Sequence, residues 1–253
     1  MTTVASSAED LAQLIALGRG ADSVELKLTV PLDSGQRAAA ALGVDPLDGE
    51  IRQVYFFDTP DLELEAHGLV VRARRIQRKG DDSVVKLRPV VPDQVTDDLH
   101  ASPNFVIEVD AMPGGYVCSG SMKRALPKPT VREAATGGRA VRKLFSKEQR
   151  ALFDTHAPDG LEIDELAVLG PILVLKLKFA PQGYARKLAA ELWVYPDGSM
   201  VIELSTRCAP GEAFQVAAET RSFLGERGVD LSGEQQAKTK KALEFFSARL
   251  RDG

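Results

Sequence analysis

The chain has 253 residues, with 32 Lys and Arg against 36 Asp and Glu, which gives a formal net charge of −4. Its 44% hydrophobic and 27% charged residues match an ordinary globular protein and exclude collagen-like, disordered and coiled-coil classes. The small acidic charge also argues against nucleic acid as a partner, because dedicated nucleic-acid-binding proteins normally carry an excess of bases.

The cysteines and histidines offer little material for a metal site. Cys118 and Cys208 belong to no paired-spacing motif, and the three histidines are scattered. Any metal would therefore be held by carboxylates, which suits Mg²⁺ or Mn²⁺. Acidic residues interrupt the N-terminal apolar stretch, so neither a signal peptide nor a membrane span is predicted and the expected location is cytoplasmic.

In chain order, the predicted elements begin with a capped amphipathic helix over residues 7–17, followed by Gly18 and Gly20. From Ala21 the periodicity changes to two, which is typical of strands, and it recurs along the chain. The predicted strands are Ala21–Val30, Leu69–Arg75, Val84–Val90, Asn104–Met112, Ile172–Phe179, Lys187–Tyr195 and Met200–Arg207. The last two form a predicted hairpin across Asp197 and Gly198.

Two regions depart from the strand pattern. Residues 113–170 are rich in Gly and Pro with short helical pieces such as Lys147–Phe153, and we predict a helical insertion there. Residues 211–253 form a predicted C-terminal helical segment with two helices, over Ala213–Leu224 and Glu234–Leu250.

Charged residues recur on one face of each predicted strand. They comprise seven bases and five acids: Lys27, Arg72, Arg74, Lys86, Arg88, Lys176, Lys178, Glu25, Glu108, Asp110, Glu191 and Glu203. If these faces point outward, they form a solvated surface around a sandwich core. If about eight strands close into a barrel with helices outside, the charges line a tunnel and need partners there. An oligophosphate with divalent cations would supply those partners.

Four motifs in order carry a family resemblance: SVELKL at 23–28, YFFDTPDLELEAHGLVVRARR at 55–75, VVKLR at 84–88 and YPDGSMVIEL at 195–204. Together they resemble the CYTH superfamily, the triphosphate tunnel metalloenzymes, which includes class IV adenylate cyclases, thiamine triphosphatases and inorganic triphosphatases. Lys238 is similar to the family's C-terminal lysine. The resemblance implies an α+β fold, namely one domain over residues 1–253 built on a closed antiparallel β-barrel with helices outside.

The resemblance also implies roles for the charged residues. The implied substrate-binding residues are Lys27, Arg72, Arg74, Lys86, Arg88, Lys176, Lys178 and Lys238. The implied ligands of Mg²⁺ or Mn²⁺ are Glu25, Glu108, Asp110 and Glu203, and the implied catalytic residues are Glu25, Lys27 and Glu203. Glu191 is either a ligand or an ion-pair partner. Such a site would hydrolyse a triphosphate by attack of a metal-activated water on the terminal phosphorus.

Two positions depart from the family pattern. Ser23 and Ser205 stand where the family usually has glutamates, so each metal-facing acidic pair lacks one member. Fewer anionic oxygens lower divalent-metal affinity, whereas the phosphate-facing bases are all present. The expected partner is a triphosphate-containing small molecule or polyphosphate. A metal-dependent triphosphatase, a non-catalytic oligophosphate-binding module and a class IV-type adenylate cyclase remain as alternatives.

Residues 123–150 form a basic segment with nine bases and two acids. One interpretation is a flap at the tunnel mouth that contacts long polyphosphate or a partner. The other is a set of solvated helices.

Overall fold

The computed structural model describes residue 18, residues 20–234 and residues 238–252. The predicted N-terminal helix over residues 7–17 lies outside these ranges. Within them, no helix combines the length and the apolar character that crossing a membrane requires.

Nine strands form a closed barrel. They are β1 (Ser23–Val30), β2 (Glu50–Asp58), β3 (Leu69–Ile76), β4 (Asp81–Leu87), β5 (Phe105–Met112), β6 (Gly115–Leu126), β7 (Ala167–Phe179), β8 (Leu188–Val194) and β9 (Met200–Cys208). Around the barrel their order is β1-β5-β6-β4-β3-β2-β7-β8-β9, and β9 closes onto β1.

The predicted closure is confirmed, with two corrections to the prediction of about eight antiparallel strands. The barrel has nine strands, and β1 runs parallel to β5 while every other adjacent pair is antiparallel. A parallel pair needs a long crossover connection, and here the chain between β1 and β5 includes three other strands of the barrel.

β6 lies inside residues 113–170, where a helical insertion is predicted, so the helical part is confined to the chain between β6 and β7. The sequence of β6 does not show the charged alternation of the other strands, because Ser119, Gly120 and Ser121 are small and carry no charge. Gly120 is needed there, since a Cβ at this position would come within 2.3 Å of the Phe105 ring.

Seven α-helices accompany the strands in the described ranges. They are α1 (Gly35–Leu42), α2 (Glu63–Ala66), α3 (Asp97–His100), α4 (Thr130–Ala135), α5 (Lys147–His156), α6 (Ala213–Glu226) and α7 (Lys238–Asp252). α5 begins with a capping box between Ser146 and Gln149, and it covers the predicted helical piece at Lys147–Phe153. α6 and α7 correspond to the two helices predicted for the C-terminal segment.

Most of the apolar core lies between the outer face of the barrel and the helices. One cluster joins strand residues such as Val85 and Ile107 to Phe153 of α5 and Val216 of α6. A second packs α1 and the end of α6 against β1, β8 and β9. Because the outward side chains are covered by helices, the alternate side chains of each strand must face the barrel interior.

A third apolar cluster fills one end of the barrel interior. Phe56, Ile172 and Val201 meet there with side chains of α7, including Leu243 and Phe246. α7 therefore packs across this end of the barrel, and the polar part of the interior lies towards the other end.

Candidate functional site

Strand pairing places the predicted charged residues on one common inner face. Glu25 lies opposite Asp110 on β5 and opposite Arg207 on β9, and Glu191 lies opposite Lys176 and Glu203. Side chains of directly paired residues point to the same side of a sheet. The charges thus line the barrel interior, and the interpretation of these faces as a solvated surface of a sandwich is wrong.

Three of the four predicted metal ligands converge at the β1–β5 pair. Carboxylate oxygens of Glu25, Glu108 and Asp110 lie within 4.8 Å of one another. The Asp110 side chain is fully buried, and its two oxygens contact bases, with Lys27 at 2.6 Å and Arg88 at 3.0 Å. Three converging carboxylates are the oxygen ligands that a hard divalent cation such as Mg²⁺ or Mn²⁺ prefers. Glu203 is not part of this carboxylate cluster.

The protonation of the carboxylate cluster reflects both burial and charge. Burial raises the pKa of Glu108 above its usual value, and the nearby charge of Glu25 raises it further. Burial also acts on Asp110, but the charges of Lys27 and Lys86 outweigh it and lower the pKa of that carboxyl. The Lys27 Nζ atom lies 2.6 Å from Asp110 and 3.5 Å from Glu25. Asp110 is therefore held ionised inside the barrel.

A second ionic cluster sits next to the apolar end of the interior. Glu191 contacts the Nζ atoms of Lys176 at 2.5 Å and Lys238 at 3.1 Å, and it accepts a hydrogen bond of 2.9 Å from the Trp193 indole. Lys238 also donates to Glu203 at 2.7 Å. Burial alone would raise the pKa of Glu191, but the charges of Lys238 and Lys176 lower it well below its usual value. Here Glu191 is an ion-pair partner.

Other predicted phosphate-binding residues lack comparable partners. Among the described residues, no carboxylate lies within 4 Å of Arg72 or Lys178, and the buried Nε of Arg72 has no hydrogen-bond partner. Burial, followed by the charge of Arg74, lowers the pKa of Arg72 to about 10. The Nζ atom of Lys86 lies 4.0 Å from the nearest oxygen of Asp110. Burial, together with the charges of the neighbouring bases, lowers the pKa of Lys86 to about 8. Arg72 and Lys86 are thus largely buried cations that lack a strong anionic partner, whereas Lys178 is an exposed cation without one.

Two further predicted bases are already paired. Arg74 makes a two-point contact with Asp82, with Nε 2.8 Å from Oδ1 and Nη2 2.5 Å from Oδ2. Arg88 lies one residue beyond the end of β4, yet its guanidinium reaches Asp110 at 3.0 Å. Both remain on the inner side of the barrel, where a ligand would compete with these carboxylates.

Some interior residues are absent from the sequence prediction. Asp82 and Lys123 lie on the inner faces of β4 and β6, and Arg207 forms an ion pair with Glu108. The period-two signal could have found Arg207, because it continues the inward positions Glu203 and Ser205.

The basic segment over residues 123–150 is divided among several environments. Lys128 and Arg132, with Arg75, line an outer cavity of about 390 Å³ beside the barrel. Arg139 and Arg142 form exposed ion pairs with Glu133 and Asp164, which contribute little to stability. The flap at the mouth remains a prediction.

Comparison with known proteins supports the fold. No protein-family model matches the sequence, and no curated protein matches it significantly. A candidate adenylate cyclase from Bacillus halodurans superposes with a TM-score of 0.59 at 13% identity, over 86% of this chain and 96% of that one. A candidate adenylyl cyclase from Hippeastrum, described as having a dominant triphosphatase activity, superposes with a TM-score of 0.62 at 16% identity. The match covers 84% of this chain and 91% of that one. At these identities the predicted resemblance is confirmed for the fold.

Proposed function

We propose that this protein binds a triphosphate-containing small molecule, inorganic or nucleosidic, inside the barrel together with Mg²⁺ or Mn²⁺ and hydrolyses its terminal phosphoanhydride bond. One observation carries the proposal: the largely buried cations Arg72 and Lys86 and the more exposed Lys178, none with a strong partner, are on the same inner face as a cluster of three carboxylates. The bases suit phosphate oxygens and the acids suit the accompanying metal. The triphosphatase activity named for the Hippeastrum protein supports it by analogy of fold alone.

The unpaired cations supply the binding energy in this proposal. A phosphate oxygen about 4 Å from a cation is attracted by about 4 kcal/mol at an effective dielectric of 20. Arg72 and Lys86 have already lost water on folding, so a phosphate that reaches them meets groups that need an anion. Several such contacts hold the ligand in one position, which is the largest part of phosphoryl-transfer catalysis.

Glu25, Glu108 and Asp110 would hold the metal. A divalent cation bound there supplies Lewis-acid polarisation and an activated water. Lys27 lies between Asp110 and Glu25, where its ammonium can neutralise charge that develops on the terminal phosphoryl group. Charges of Asp110 and Glu25 outweigh the effect of burial and raise the pKa of Lys27, so this ammonium stays protonated.

A second candidate function is binding without turnover. Ser205 favours it, because its hydroxyl donates a 3.1 Å hydrogen bond to Glu25 at a position where the resemblance implies a carboxylate. Ser23, the other departure, lies directly opposite Glu108. With a hydroxyl at both positions, the cluster has fewer anionic oxygens for metal. The class IV-type adenylate cyclase stays a third prediction.

The deciding experiment measures phosphate release and cyclic-nucleotide formation from triphosphate, ATP and thiamine triphosphate with Mg²⁺ or Mn²⁺. Calorimetric titration of the same ligands in EDTA measures binding without turnover. We expect Glu25→Gln to abolish phosphate release while binding in EDTA persists, and Glu219→Gln on the outer helix α6 to behave as wild type. Binding with no product under either metal would establish the module, and no binding of any of the three ligands would overturn the proposal.

A further inference from the structure

Arg207 covers part of the carboxylate cluster. Its guanidinium forms an ion pair with Glu108 and lies 3.9 Å from Glu25. Antiparallel pairing fixes this arrangement, because Arg207 is directly opposite Glu25. A cation at this place occupies carboxylate oxygens that a divalent metal would otherwise coordinate.

Two bases of the chain thus neutralise most of the charge of the cluster. Lys27 neutralises Asp110 from inside the barrel, with a side chain only 17% exposed. Arg207 neutralises Glu108 from the inner face of β9, one residue before the end of that strand, with a side chain 55% exposed. Because Arg207 borders solvent, it can leave the carboxylates at lower cost than Lys27 can.

The two serines make this competition more effective. Ser23 lies opposite Glu108, and Ser205 is two residues before Arg207 on the same inner face. A glutamate at either position would add negative charge beside the guanidinium. The cluster would then have enough carboxylates to bind a divalent metal and Arg207 at the same time. With serines there, the chain's own bases are enough to balance the three carboxylates, because Arg88 and Lys86 also approach Asp110, at 3.0 and 4.0 Å.

We infer that Arg207 is a built-in counter-ion that competes with divalent metal for Glu25 and Glu108, so that the free protein holds metal weakly. The inference rests on the metal-binding part of the proposed function. When a phosphate ligand is present, the guanidinium has an alternative anionic partner, and its release frees carboxylate oxygens for the metal. Metal and phosphate binding then strengthen each other.

The test titrates the protein with Mn²⁺ alone and follows free Mn²⁺ by electron paramagnetic resonance, with no phosphate ligand and no turnover. We expect Arg207→Gln to bind Mn²⁺ about fivefold more tightly, since an exposed ion pair contributes up to about that factor. Arg207→Lys, which keeps the charge, should stay within twofold of wild type. Arg186→Gln is the matched control, because Arg186 pairs with Glu212 and Glu219 on the outer surface.

Thermal unfolding of each variant checks that the barrel is intact. Unchanged or weaker Mn²⁺ binding by folded Arg207→Gln would overturn the inference. This test can fail independently of the proposed function. Triphosphate binding in EDTA measures the phosphate site without metal, whereas the Mn²⁺ titration measures the metal site without phosphate. A wild-type protein that binds Mn²⁺ as tightly as Arg207→Gln does would likewise contradict the competition.

Discussion

Replacement of Arg72 by methionine should stabilise the free protein and weaken triphosphate binding at the same time. Burial and the charge of Arg74 lower the pKa of Arg72 by more than two units, to about 10, so the folded barrel disfavours its charged form. Below pH 10 the guanidinium is charged in both the folded and the unfolded state, and this cost is fully present. At 1.36 kcal/mol per pH unit, it amounts to about 3 kcal/mol at pH 7.

Methionine keeps much of the side-chain volume and removes both the charge and the unpaired Nε. Part of the 3 kcal/mol is offset by altered packing, so we expect Arg72→Met to raise the free energy of unfolding by about 1 to 2 kcal/mol. For a chain of this size, that corresponds to about 2 to 4 °C in Tm per kcal/mol. Affinity for triphosphate should fall about 100-fold, since a desolvated charge pair is lost.

Urea unfolding at pH 7 and calorimetric titration with triphosphate in EDTA measure the two effects. Arg75→Met is the matched control: Arg75 lies three residues after Arg72 on β3, and its side chain points outward to Gln53. Arg74→Met should have the opposite effect on stability, because it leaves Asp82 without its two-point partner. If Arg72→Met proved as destabilising as Arg74→Met, the interpretation of Arg72 as an uncompensated cation would be refuted.

Two further predictions concern the ionic clusters. Glu191→Gln should lower the free energy of unfolding at pH 7 by about 3 kcal/mol, because Lys176 loses its carboxylate partner and Lys238 keeps only Glu203. Since the pKa of Glu191 lies well below its usual value, the stability that this carboxylate contributes is present above about pH 4.5 and is lost as the pH falls through the folded-state pKa. The wild-type and Glu191→Gln unfolding curves should therefore converge in acid, and a constant difference down to pH 3 would contradict the assignment. Ser23→Glu should tighten Mn²⁺ binding severalfold, because the new carboxylate would lie opposite Glu108; no change in the Mn²⁺ titration would show that position 23 does not face the carboxylate cluster.

Much of the barrel could be predicted because inward and outward residues alternate so regularly. Lys86 and Lys176 sit on strands whose other face is apolar, and that contrast alone indicated a two-sided sheet. The pattern failed on β6, where small uncharged residues face inward and Gly120 makes room for Phe105. Alternation is a signal only where the two faces differ in polarity.

The partners of each charge could not be predicted in the same way. Whether Glu191 meets a base or a metal depends on the register between β7, β8 and β9 and on where α7 docks. Register across strands is set by the closed barrel as a whole and not by any local stretch of sequence. For the same reason Glu203, predicted as a metal ligand, lies with Lys238 and apart from the other three carboxylates.

The apolar cluster under α7 limits the routes by which a ligand can enter and leave the barrel. Phe56, Ile172 and Val201, with Leu243 of α7, fill one end of the interior with hydrocarbon, so that end offers no path to an anion. A triphosphate that binds in this interior would have to enter through the end of the barrel opposite α7, with its terminal phosphate leading. A released phosphate would have to leave by the same opening. If the proposed triphosphate binds in this interior, a released phosphate and the next substrate share one opening, so the product has to leave before the next substrate can enter.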